Sequence, residues 1–154
     1  MTTSDDRWST VTARTTSIGV QGRAISAAGK TNVIVDDGAA NEGPGEEATP
    51  TELFLAGVTS CAVLLISRLA RGEGIALAGA EAVIEAKLDK EFGPDGPRTF
   101  DSIRLTITLR GVGHDEADTL VAGFKARCPL YGSLALAVPD TVVDLVVAAV
   151  AAVA

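Results

Sequence analysis

Up to residue 36 the chain reads as short β-branched runs punctuated by glycine. Segments 8–15, 18–27 and 31–36 are rich in Thr, Val and Ile, with Gly22 and the Gly29-Lys30 pair as breaks. Such runs predict strands, here a small antiparallel meander. Residues 37–48 are acidic and glycine-rich, show no periodicity, and predict a loop.

The pattern then changes abruptly. Thr49, Pro50 and Glu52 fall at N-cap, N1 and N3, which is a capping box with proline where its missing N–H does no harm. The spacing predicts a helix from there to about Arg71, stopped by Gly72 and Gly74. Between Leu53 and Ile66 it is apolar nearly all round. A helix of that kind is expected to be central and buried on most sides, by sheet or by a second subunit.

Two stretches alternate with period two. Ala82, Ile84, Ala86 and Leu88 interleave with mostly charged residues over 81–89. Ile103, Leu105, Ile107 and Leu109 interleave with Arg104, Thr106, Thr108 and Arg110 over 103–110. Both predict half-buried strands, joined through the turn-rich Gly93-Pro94-Asp95-Gly96-Pro97. Ala117, Leu120, Val121 and Phe124 recur at i, i+3, i+4, i+7, which predicts a helix over about 115–127. A shorter helix is expected over 129–137 after Cys128-Pro129. TVVDLVVAAV follows Pro139-Asp140 as a buried strand, with a helical alternative for the alanine-rich 148–154. The order βββ-α-ββ-αα-β is an α+β pattern, read as one domain over 1–154.

Composition narrows the function. The chain has 154 residues, is 47% hydrophobic and 21% charged, and its aromatic content is 4%, so aliphatic and alanine side chains must build the core. A formal charge of −7, without a Lys/Arg cluster, argues against a nucleic-acid partner. The first twenty residues contain no apolar signal-peptide core. The Leu53–Ile66 stretch is shorter than the roughly 20 residues of a membrane span. A cytoplasmic protein with no membrane association is the expectation.

There are two cysteines, Cys61 and Cys128. In a reducing compartment such a pair leans toward redox or metal chemistry. Metal is disfavoured, because the only histidine, His114, supplies no ligand pair at short spacing and reads as a loop or cap residue. Cys61 shares a helix face with Phe54, Gly57, Val58, Leu64, Leu65 and Arg68. Its apolar setting suits an inert packed thiol, and a thiolate there needs a cation. Cys128 precedes Pro129 as an N-cap, where the helix N-terminus favours negative charge. From these residues alone, either cysteine also reads as a packing or junction residue.

The contexts of the two cysteines resemble the OsmC/Ohr family, the osmotically induced and organic-hydroperoxide-resistance proteins. ATPTELFLAGVTSCA (48–62) is similar to that family's segment before its reactive cysteine. FDSIRLTITLRG (100–111), the 114–127 helix and CPLYGSL (128–134) resemble its second half. GVQGRAISAAG (19–29) and the 38–47 loop fit as well. The resemblance implies an OsmC-like α+β fold, with antiparallel sheets around a long buried central helix in an intertwined homodimer. It implies a cysteine-based thiol peroxidase, a stress-response antioxidant. Cys61 would attack an organic hydroperoxide and become a sulfenic acid. Cys128 would close a Cys61–Cys128 disulfide, and an external dithiol would reduce it. No metal or cofactor is implied.

Where the Ohr branch holds its thiolate with an arginine of the first hairpin and a glutamate of the helix, this sequence has Val20 and Thr51. Arg23, Glu52 and Arg68 are the candidates for thiolate support, although Glu52 reads first as the capping-box residue. Two other readings stand beside the peroxidase: an OsmC-like dimer that binds an apolar small molecule with weak or no peroxidase activity, and a structural dimer whose cysteines only pack.

Overall fold

The computed structural model describes residues 8–89, 91 and 98–150. Its contacts gather into two compact units, Met1–Phe54 and Leu55–Ala154.

The first unit is the expected meander. Strands β1 (Ala13–Ser17), β2 (Arg23–Ala28) and β3 (Thr31–Asp36) pair antiparallel in that order. The first two strands start later than the composition suggests. Gly19 and Gly22 take positive φ, at 80° and 66°, so 18–22 turns instead of extending. A Cβ on Gly22 would lie 2.5 Å from the Cα of Gly43, so this turn packs backbone to backbone against the acidic loop. The loop, read from sequence as featureless, contains a single 3-10 turn at Ala39–Asn41.

Helix α1 (Pro50–Glu73) starts where the capping box placed it. The Thr49 N–H donates to Glu52 Oε2 at 2.7 Å, and the Glu52 N–H donates to Thr49 Oγ1 at 3.3 Å. Gly74, at φ 69°, follows its last residue. By length and composition alone α1 could cross a membrane.

In the second unit β4 (Gly79–Leu88) and β5 (Phe100–Arg110) pair antiparallel, with Ile84 opposite Leu105. The turn expected at 93–97 lies outside the described residues, as does most of the 148–154 tail. Helices α2 (His114–Arg127) and α3 (Pro129–Ala137) follow, then β6 (Thr141–Ala148). β6 joins β5 in parallel, unlike the antiparallel pairing expected throughout. Two helices stand between these strands, and a helical crossover returns the chain in the same direction. His114 opens α2, where Glu116 Oε2 accepts from the Gly113 N–H at 3.0 Å.

The buried face of the sheet (Leu105, Ile107, Leu109) packs with Ala62, Leu65, Ile66 and Ala70 of α1 and Leu120, Val121 and Phe124 of α2. A smaller cluster joins Val58, Ile103, Leu134 and Val138. Each large side chain fully removed from water contributes about 1.5–3 kcal/mol. On the other face, Arg104–Asp144 and Arg110–Glu81 ion pairs lie at the surface, where such pairs add at most about 1 kcal/mol each. Within one chain α1 is buried along one side only. Leu64 remains 70% exposed, so the all-round apolar pattern is not satisfied by a single copy.

Candidate functional site

Three contacts run along α1 in reverse order to the chain that packs on it. A Cβ on Gly123 of α2 would lie 3.0 Å from Leu69 Cδ1, so α2 and α1 approach closely there and the Leu69 side chain would have to give way to any larger residue. Two turns nearer the start of α1, Cys128 meets Cys61. One turn further, a Cβ on Gly57 would lie 3.9 Å from Leu130 Cδ1. The sequence α2–Cys128–α3 therefore descends α1 antiparallel, with two glycines bracketing the thiols.

The sulfurs of Cys61 and Cys128 lie 2.9 Å apart, and both are free thiols. Cys128 is 3% exposed, while Cys61 is only partly buried. Cys128 is the N-cap of α3, as Pro129 at N1 predicted, and its sulfur accepts from the Tyr131 N–H at 3.4 Å. The Tyr131 ring stacks at 5.2 Å, tilted, on the fully buried Phe124, which fixes the first turn of α3 against α2. A disulfide requires sulfurs at about 2.05 Å, so closing the bond asks for a shift below an ångström from the observed 2.9 Å.

Opposing influences act on Cys61. Burial, then the hydrogen bond to Cys128 and that sulfur's charge, push the thiol up to about 11. Arg68 and the Leu130 N–H pull the other way. The Cys128 thiol is placed to donate to Cys61, an arrangement that favours charge on Cys61. Burial acts whichever sulfur holds the shared proton, and it keeps the Cys61 thiol raised.

Of the other sequence candidates, Arg23 and Glu52 lie in the first unit and are engaged locally. Arg23 Nε and Nη2 donate to the two oxygens of Asp36, both at 2.7 Å, and Nη2 also donates to Glu46 at 2.7 Å. Asp36 is buried and accepts the Glu46 and Glu47 N–H groups at 3.1 and 3.2 Å. The hydrogen bond from Arg23 leads in holding its carboxyl down at about 2, against desolvation. Asp36 was not singled out from sequence. A lone Asp ending a β-branched run resembles any strand terminus. Glu52 is held in the cap, and its carboxyl is lowered by the Thr49 N–H first and the Thr49 hydroxyl second. Arg68 stands with Cys61 in the second unit. Among the described residues, no group of three or more His, Cys, Asp or Glu side chains comes together that could hold a metal ion.

The first unit has a cavity of its own. It measures about 600 Å³ and is bounded by Val20, Val35, Pro50 and Leu53, with Arg23 and Asp36 at its polar side.

A family model described as OsmC-like protein matches residues 43–142, a span that contains both cysteines. No curated protein matches the chain. Solved structures share the fold. An OsmC-like protein from Mycoplasma pneumoniae superposes with a TM-score of 0.75 at 13% identity, covering 92% of this chain and 98% of that one. A Legionella pneumophila protein described as an organic hydroperoxide resistance protein OsmC gives 0.69 at 23% identity, covering 91% and 97%. The organic hydroperoxide resistance protein OhrB of Bacillus subtilis gives 0.60 at 19% identity, covering 90% and 98%.

Proposed function

Because this chain belongs to the OsmC-like family, we propose that it is a cysteine-based thiol peroxidase that reduces organic hydroperoxides. The observation that carries this reading is the pair of free thiols in contact at 2.9 Å. Cys61, the more accessible sulfur, is the attacking thiolate. Its electron pair takes the terminal peroxide oxygen and the O–O bond breaks. The alkoxide leaves and gains a proton to become the alcohol, and Cys61 is left as a sulfenic acid. The Cys128 sulfur then attacks the Cys61 sulfur and the S–O bond breaks. Water departs, and an intramolecular disulfide remains for an external dithiol to reduce.

Several features support the wider assignment. The exposed Leu64 on α1 and the helix's all-round apolar pattern favour a homodimer, and a two-cysteine redox pair fits a reducing, cytoplasmic setting. We take the whole chain, 1–154, as one functional domain. One equivalent of cumene hydroperoxide should remove both free thiols and yield the internal disulfide, detected by mass spectrometry. Cys61→Ser should consume none. Cys128→Ser should complete one turnover and stop at sulfenic acid. Equal peroxide consumption by wild type and Cys61→Ser would sink the proposal.

The cavity of the first unit favours a second reading, in which the chain binds an apolar small molecule. Its volume falls in the range of small-molecule sites. Native mass spectrometry of the purified protein separates the two: a co-purifying ligand without peroxide turnover selects binding.

A further inference from the structure

A partly buried thiol that attacks a peroxide needs a positive charge to help it ionise, and the family resemblance puts Val20 where a hairpin arginine would stand. Four of the other arginines are held elsewhere, and among the described residues Arg68 is the cation that bears on Cys61. Arg23 is gripped by Asp36 and Glu46, Arg104 by Asp144, and Arg110 by Glu81. Arg98 donates to the Asp89 carbonyl oxygen. Arg68 makes no ion pair among the described residues.

Its place on α1 is specific. Seven residues at 100° each bring Arg68 back to within about 20° of the azimuth of Cys61, roughly 10.5 Å further along the axis. Helical side chains lean toward the N-terminus, so residue 68 is directed back toward the turns of α1 that carry Leu64 and Cys61. Leu64 is exposed and uncharged, and no acidic residue stands between the two on α1. From α3 the nearest contribution is the Leu130 N–H. The titratable or charged groups that act on Cys61 are Cys128, at the junction of α2 and α3, and Arg68 itself.

We propose that Arg68 supplies the positive charge that supports the Cys61 thiolate, from the same helix and one face-length away, in place of a hairpin arginine. Its catalytic consequence rests on the peroxidase reading, whereas its effect on the thiol does not. In this role Arg68 acts through its field, so the effect depends on charge sign, charge retention and ionic strength.

The test uses full-length protein carrying Cys128→Ser, so that one thiol is read. Arg68→Gln, Arg68→Lys and Arg68→Glu are added, and folding is checked by circular dichroism. Iodoacetamide alkylation of Cys61 is followed against pH at low salt and in concentrated salt. A unit charge about 10 Å away in a partly solvated setting changes thiolate population by about threefold. Arg68→Gln should therefore react about threefold more slowly at neutral pH, and Arg68→Glu about tenfold more slowly. Arg68→Lys should stay close to its parent, and the differences should shrink in concentrated salt. An Arg68→Gln protein that alkylates like its parent overturns the proposal. So does a loss that lysine fails to restore, or one indifferent to salt, since each removes charge as the agent. Peroxide consumption by chains with both cysteines is measured separately. If wild type consumes no more than Cys61→Ser, the peroxidase reading falls and the assignment of Arg68 to the thiol is still decided by alkylation.

Discussion

Oxidising the thiol pair should raise the melting temperature markedly. The Cys61–Cys128 bond would enclose 67 residues. In the chain-entropy description, a cross-link over a loop of that length removes enough freedom from the unfolded chain to stabilise the fold by about 4 kcal/mol. Strain subtracts from that figure, but the sulfurs already stand 2.9 Å apart on packed elements, so little main-chain movement is required. For a chain of this size each kcal/mol moves the midpoint by about 2–4 °C. The peroxide-oxidised protein should thus melt about 10 °C above the phosphine-reduced protein. Scanning calorimetry on both forms measures this, with Cys61→Ser and Cys128→Ser as controls that show no difference after the same treatment. An oxidised form proven by mass spectrometry to hold the internal disulfide, yet melting at or below the reduced one, would refute the reasoning. Closure would then distort the α2–α3 junction by as much as the loop entropy provides.

Other expectations follow from packing and charge. Phe124→Ala should cost about 3–5 kcal/mol in urea denaturation, since Phe124 is fully buried and supports Tyr131, while Leu136→Ala, at a position 88% exposed, should stay within about 0.5 kcal/mol. Gly22→Ala should destabilise by more than about 1 kcal/mol, because φ is 66° and the new methyl meets Gly43 backbone at 2.5 Å; Gly19→Ala, at φ 80° with nothing within 4 Å, should cost less. The Asp36 carboxyl is held at about 2 in the fold against 3.8 ordinarily. A lowered folded pKa gives stability that is present above the unfolded value and lost as pH falls through the folded one. Urea midpoints should therefore drop between about pH 4 and pH 2, and Asp36→Asn should flatten that slope.

Much of the second unit was legible because each of its elements satisfies a local rule. The period-two runs became β4 and β5, the i, i+3, i+4, i+7 stripe became α2, and Cys128-Pro129 became the N-cap and N1 of α3. The α1 boundary was legible for the same reason, since a capping box is complete within four residues. What stayed hidden depends on residues far apart in sequence. The direction of β6 is decided by the α2–α3 crossover, and nothing in TVVDLVVA encodes it. Nothing local marks Gly123, whose closeness to Leu69 comes from the packing of α2 on α1. The late start of β2 follows from Gly19 and Gly22 acting together with Gly43. The nearness of Cys61 to Cys128 came from resemblance and not from spacing, because a separation of 67 residues carries no distance of its own.

The antiparallel seam also sets when the site exists. During synthesis Cys61 emerges 67 residues ahead of Cys128, about 3 to 13 seconds at ribosomal speeds of 5–20 residues per second. Through that interval α1 can be made, but the thiol that would trap a Cys61 sulfenic acid is still untranslated. Oxidation past the sulfenic stage is in general irreversible. On the proposed peroxidase chemistry, protection of Cys61 by disulfide formation would thus belong to the finished chain, and oxidative stress during translation would put unfinished copies at greater hazard than mature ones.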